Sequence, residues 1–210
     1  MTLTVDVISD VICPWCFIGK RRLEKAISQF SEPVQVHWQA YQLNPDLPRA
    51  GVSRRDYRIK KFGSWERSRE LDARVQSVGL EEGIDFAFDL IERTPNTLDA
   101  HRLIRLAHQE GVQDTVVEAL FIAYFTQGRD ISNQTVLLDM VADSGLDRNL
   151  CEATLMSQES LYAIRQDAQL ARQFQIDSVP SFLLNRRILV VGAQSPDSFL
   201  DAFQQARDLT

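Results

Sequence analysis

Two cysteines separated by two residues, Cys13-Pro14-Trp15-Cys16, stand directly after a short apolar run and at the head of a long amphipathic one. This junction restricts the fold more than any other stretch. Leu3, Val5 and Val7 alternate along Leu3 to Ile8 with the period of a strand. From Cys16 onward, Gly19, Leu23, Ala26, Ile27 and Phe30 recur at helical spacing and share one face with Cys16. Proline suits the first helical position, because it lacks the N–H that would be unpaired there and its φ is already helical. Cys13 then falls at the N-cap, where free backbone N–H groups and the positive end of the helix dipole stabilise a thiolate. The expectation is an exposed, attacking Cys13 and an inward-facing Cys16 close enough to resolve a mixed disulfide behind it.

Other uses of a cysteine pair fit less well. A structural zinc site takes four ligands, commonly two cysteine pairs or cysteines with closely spaced histidines. Beyond the pair this chain offers only Cys151 and three scattered histidines, so no metal is expected. His37 falls opposite Val36 and Trp38 and receives no role. His101 and His108 share a helix face, where capping or surface packing is expected. Cys151, alone in a short amphipathic segment, reads as a small apolar core residue.

Three cysteines in 210 residues argue against a secreted disulfide scaffold, and Met1-Thr2-Leu3-Thr4-Val5-Asp6 has neither a basic segment nor a long apolar run. A cytoplasmic protein is the expectation. No stretch approaches the ~18 apolar residues of a membrane span. A formal charge of −6 argues against a nucleic-acid partner. Residues 49–74, however, hold nine Lys or Arg against four acidic residues, which is either a solvated helix surface or a local attraction for an acidic substrate such as glutathione.

The remaining chain sorts by period. Val34, Val36, Trp38 and Ala40 alternate as a second strand, and strand, helix, strand in succession implies a parallel pair with a right-handed crossover. Pro45, Pro48 and Gly51 mark a loop. Helices are expected near 53–61 and 64–78, around Ala100 to Ala107 and Val117 to Tyr124, and over about 135–144, 148–156 and 160–174. No strand pattern interrupts that run, so it reads as one all-helical insertion. Strands return at Ser181 to Leu184 and Ile188 to Val191, joined by a tight turn at Asn185-Arg186-Arg187, where Asn-Gly would be the easier pair. Ser195 as cap and Pro196 at the first turn open a closing helix that lays Phe199, Leu200 and Phe203 on the sheet.

Cys13-Pro14-Trp15-Cys16-Phe17-Ile18-Gly19-Lys20, Leu43-Asn44-Pro45, Asn96-Thr97, Ala100-His101-Arg102-Leu103, Val179-Pro180 and Gly192-Ala193-Gln194 together resemble the DsbA family of thioredoxin-like oxidoreductases, in particular its FrnE-like branch. The resemblance implies an α/β thioredoxin fold with a large all-helical insertion roofing the dithiol, here 1–62 and 163–210 as core and 63–162 as insertion. By position it implies Cys13 as nucleophile and Cys16 as resolving thiol. Val179 and a cis Pro180 would form the substrate-docking edge, with Pro14 and Trp15 also touching substrate. It implies no tightly bound cofactor beyond a Cys13–Cys16 disulfide, with glutathione as a candidate co-substrate. The partners implied are protein or small thiols and disulfides, with glutathione or a thioredoxin-type reductant for recycling. Trp15 stands where DsbA has His, so a less oxidising couple is expected. Glutathione-dependent hydroxychromene carboxylate isomerases are similar in architecture but carry Ser at the Cys13 position. A third use is an apolar roof that holds unfolded chains.

Overall fold

The computed structural model describes residues 2–209, and all of their side chains except those of 168–170 and 172. Strand β1 (Leu3–Ser9) leads through the dithiol into helix α1 (Pro14–Gln29), and β2 (Val34–Ala40) returns parallel to β1. A two-residue strand β3 (Val52–Ser53) follows, then α2 (Arg54–Phe62) and α3 (Trp65–Glu81). Next come β4 (Arg93–Thr94), α4 (Leu98–Gln109), α5 (Gln113–Phe125), α6 (Gln134–Asp143), α7 (Arg148–Met156) and α8 (Gln158–Gln173). The chain re-enters the sheet as β5 (Ser181–Leu184) and β6 (Ile188–Val191) and ends in α9 (Pro196–Asp208). The main sheet has the order β2-β1-β5-β6, with β5 antiparallel to β1 and β6 antiparallel to β5. One detail departs from the expectation of an unbroken helical run. Val52–Ser53 and Arg93–Thr94 form a small antiparallel ladder, too short for a periodic pattern to show in the sequence.

The period of β1 decides what lies on each side of the sheet. Leu3, Val5 and Val7 join α1 and α9 in the main core, whereas Ile8 packs on the opposite face with Ala171, Ile176 and Leu183. Helix α1 is buried on both sides, which a one-faced amphipathic reading does not foresee. Phe17 and Ile18, off the sheet-facing stripe, are as buried as Cys16, and α5 covers Phe17. The ring of Phe17 stacks on Phe121 at 5.0 Å and meets Phe86 edge-on at 6.0 Å. Such pairs add about 0.5–1.5 kcal/mol each beyond their burial. The outer edge of β2 would expose unpaired backbone groups, but Gln113 at the start of α5 fills in for a neighbouring strand. Its side chain accepts from Trp38 N (3.0 Å) and donates to Trp38 O (2.9 Å).

At the hairpin, Asn185 (φ 48) and Arg186 (φ 54) both take left-handed backbone, the geometry a two-residue turn demands. Asn185 is held there because its Oδ1 accepts from Thr4 N at 3.0 Å.

Arg102 is the largest fully buried side chain, 1% exposed, and ties α4 to the corner between α7 and α8. Its guanidinium donates to the carbonyls of Thr154, Leu155 and Ser157 at 2.8–2.9 Å, to Ser160 Oγ and to Asp99. Five donors in a fixed fork suit Arg to this place and Lys not at all. Arg102→Met should lower unfolding stability by about 3 kcal/mol or more, since it strands three carbonyls that the guanidinium now satisfies in the interior. Urea denaturation checks this; a loss under 1 kcal/mol would contradict it.

Candidate functional site

The dithiol sits where the sheet, α1 and the helical roof meet. Cys13 is the N-cap of α1 (φ −94, ψ 112), Pro14 follows at the first position, and among the described residues no acidic side chain lies in the first turn. The positive end of the helix therefore meets the Cys13 sulfur with no carboxylate from its own first turn. Cys13 N donates to Asp10 O at 2.9 Å, and Cys16 N donates to Cys13 O at 3.0 Å, which closes the bend between strand and helix.

The Val179–Pro180 peptide is cis, as the sequence led us to expect. Across the cleft the Cys13 thiol donates to the Val179 carbonyl at 3.7 Å. Gly192 N donates to Pro180 O at 2.8 Å and Arg22 donates to Ala193 O at 2.6 Å, so the 192–194 string fastens this loop to α1. Gly19 makes the approach possible: a methyl group there would sit 3.0 Å from Phe182 Cζ and 3.1 Å from Pro180 Cγ.

One expectation needs correction. Cys13 is not at an exposed end; it is 6% exposed, because Val179 and the roof close over it. What it shows opens into a cavity of about 460 Å³ that also takes in Pro14, Trp15, Leu43, Tyr57 and Val75. Trp15 is the exposed member of the motif, at 40%, on the cavity rim. Cys16 is 1% exposed and forms no part of that wall. Burial pushes its thiol well above the ordinary value, and the neighbouring Cys13 sulfur adds to the effect.

Part of the basic stretch reaches the cavity, with Arg54, Arg58, Lys61 and Arg74 among its lining. Arg54 and Arg58 converge on Asp72, Arg54 at 2.7 Å. Lys61 donates to Tyr57 OH at 3.1 Å, and among the described residues neither Lys61 nor Arg74 is paired with a carboxylate. The cavity thus presents cations to whatever enters it.

Sequence reasoning missed Asp10, which is wholly buried between two loops. Its Oδ2 accepts from Leu43 N at 2.7 Å and its Oδ1 from Ile12 N at 3.4 Å. His101, expected at the surface, is instead 3% exposed beside it. Its Nε2 donates to Tyr41 O at 3.1 Å and lies 3.5 Å from Asp10 Oδ1, so it links α4 to the loop carrying the dithiol. The adjacency of Asp10 to the motif was the available signal, but its partners are remote in sequence. His37 and His108 meet edge to face at 5.1 Å, away from the dithiol. Cys151 is fully buried, as a core residue should be, and burial pushes its thiol up to about 11.

The three thiols should therefore label very differently. At neutral pH, iodoacetamide should modify Cys13 through the cavity, while Cys16 and Cys151 react only after denaturation, as peptide mapping would show. Comparable labelling of Cys151 in the folded protein would contradict the burial. Gly19→Ala should cost about 1–3 kcal/mol of stability by overpacking against Phe182 and Pro180, read from its denaturation midpoint.

The DSBA-like thioredoxin domain model matches residues 4–204. A probable DsbA oxidoreductase from Streptomyces coelicolor is 28% identical with a TM-score of 0.91, covering 98% of this chain and 90% of that one. The cytosolic disulfide reductase DsbM of Pseudomonas aeruginosa shares the fold at 20% identity and a TM-score of 0.72, over 99% and 100% of the two chains. A 2-hydroxychromene-2-carboxylate isomerase does so at 18% and 0.73, over 99% of each. The uncharacterised protein YwbO of Bacillus subtilis is 25% identical over 95% of this chain and 94% of its own. With the strand–dithiol–helix junction and the cis proline facing it, a match over nearly the whole length means that this chain belongs to the family of DSBA-like thioredoxin domains.

Proposed function

We propose that the protein is a thiol-disulfide oxidoreductase in which Cys13 forms the mixed disulfide and Cys16 resolves it. The observation that carries this reading is the asymmetry of the two sulfurs. Cys13 lies at a helix N-terminus and on the cavity wall, whereas Cys16 is sealed beneath it with its thiol pushed up by burial. A Cys13 thiolate attacks a substrate disulfide; the new S–S bond forms as the old one breaks, and the departing sulfur takes up a proton. Cys16 then displaces the second substrate sulfur and leaves a Cys13–Cys16 disulfide. An external thiol returns it to the dithiol, and the ambient thiol pool sets the net direction.

Val179 and Pro180 serve in this reading as the docking edge for the substrate. The ladder of β5 with β1 begins only at Ser181, so the backbone before it is outside the sheet. Pro14 and Trp15 form the adjoining wall. The cavity with Lys61 and Arg74 suits a small anionic thiol, and we assign glutathione as co-substrate. DsbM, a fold relative, has also been solved with glutathione. Among the described residues no helix is long and apolar enough to cross a membrane. A cytoplasmic setting fits a chain with few cysteines, all three of them free buried thiols.

Cys13→Ser should abolish reduction of insulin or of glutathione disulfide, and Cys16→Ser should trap the Cys13 adduct, visible by mass spectrometry. Retained turnover in Cys13→Ser would sink the proposal. Lys61→Ala or Arg74→Ala should raise KM for glutathione disulfide about two- to fivefold while leaving that for a neutral disulfide unchanged. The cavity beside Cys13 also favours a second reading, a glutathione-dependent isomerase acting on a small molecule. Glutathione-dependent turnover that survives loss of Cys16 would decide for it.

A further inference from the structure

Ser9, the last residue of β1, is a polar residue in an apolar position. The strand alternates, so Ser9 continues the face of Leu3, Val5 and Val7, the side on which α1 packs and on which Cys16 is buried. Ser9 is 4% exposed, and among the described residues its hydroxyl has no hydrogen-bond partner in the resting geometry. A buried hydroxyl left unpaired costs about 1–3 kcal/mol, so such a group calls for an explanation.

The other polar side chains near the dithiol are occupied. The Asp10 carboxylate is engaged by Leu43 N, Ile12 N and His101, and Lys20 by Glu24, Asp114 and Glu118. Burial and the Cys13 sulfur both push the Cys16 thiol up, while the Ser9 hydroxyl and the Asp10 backbone pull it down. The Ser9 hydroxyl therefore lies near the Cys16 sulfur, on the same side of the sheet, without meeting hydrogen-bond geometry at rest.

We propose that Ser9 is a positioning residue for the second half of the exchange, its hydroxyl donating to the Cys16 sulfur as negative charge develops there. The inference rests on the oxidoreductase reading above. A neutral thiol is a weak acceptor and a thiolate a strong one, so a donor that is slack at rest tightens as Cys16 loses its proton. A preorganised donor of this kind stabilises the transition state more than the ground state. In the step itself the Cys16–Cys13 S–S bond forms and the bond from Cys13 to the substrate sulfur breaks. The electron pair leaves on the substrate sulfur, which takes up the proton given up by Cys16. No further oxidant or reductant enters.

The test uses the intact, reduced protein and 5,5′-dithiobis(2-nitrobenzoate) in rapid mixing. Attack by Cys13 releases one coloured thiolate and resolution by Cys16 a second, so the two steps are read separately. In Ser9→Ala the first phase should stay within twofold of wild type and the second should slow about tenfold or more. The melting temperature should hold or rise, because the variant removes an unpaired buried hydroxyl. A second phase within twofold of wild type overturns the proposal. So does equal slowing of both phases with a lowered melting temperature, which would make Ser9 only a packing residue. If wild type releases no second equivalent, the oxidoreductase reading itself fails, and that result is distinct from the other two.

Discussion

The double-sided burial of α1 is the constraint from which the rest of this structure follows. On the sheet side Cys16, Leu23 and Ala26 close the core; on the other, Phe17 stacks under α5. Lys20 is nearly as buried as these apolar neighbours, and burial alone would lower its pKa. Glu24, Asp114 and Glu118 more than reverse that and raise it, so the ammonium stays charged and anchors α1 to α5. Asp114 also accepts from Trp38 Nε1 at 3.1 Å, which brings β2 into the same junction. A helix held from both sides cannot tilt, and its N-terminus is therefore fixed against Val179.

Polar groups do for the site what apolar packing does for the helix. Asp10 and His101 join three separate stretches of chain beside Cys13, and both are almost wholly removed from water. Breaking such a contact costs more than its net worth, because the surviving partner stays buried and unpaired. In the proposed exchange the same burial sets the two sulfurs apart. Cys13 lines the cavity while Cys16 lies beneath it with its thiol pushed up by burial, and the cavity limits which partners reach Cys13.

Much of the site was legible from local rules. Proline behind Cys13 and the alternation of Leu3, Val5 and Val7 define a strand-to-helix junction through steric preferences of single residues. The strands at 181–184 and 188–191 and the cap at Ser195 likewise follow from short-range chemistry, and each appears where expected. The surface placement of His101 failed for a physical reason. Helical periodicity tells which residues share a face and not what will cover that face. Asp10, Ser9 and Gln113 were silent because a polar residue in a strand end or a first helical turn is locally unremarkable.

The sequence by itself determined a cysteine pair at a helix start, the strands of the main sheet with the helices that follow them, and membership of a known fold family. These depend on residue type, spacing and order along the chain. Tertiary structure alone decided that Cys13 opens into a cavity rather than into bulk water, that Lys61 and Arg74 line that cavity, and that Ser9 lies unpaired on the Cys16 side of the sheet. Each of these joins residues far apart in the chain; Cys13 and Val179, 166 positions apart, meet only once sheet and roof are assembled. Burial, and with it the cost of a charge or an unmet hydrogen bond, is a property of that assembly and of no segment alone.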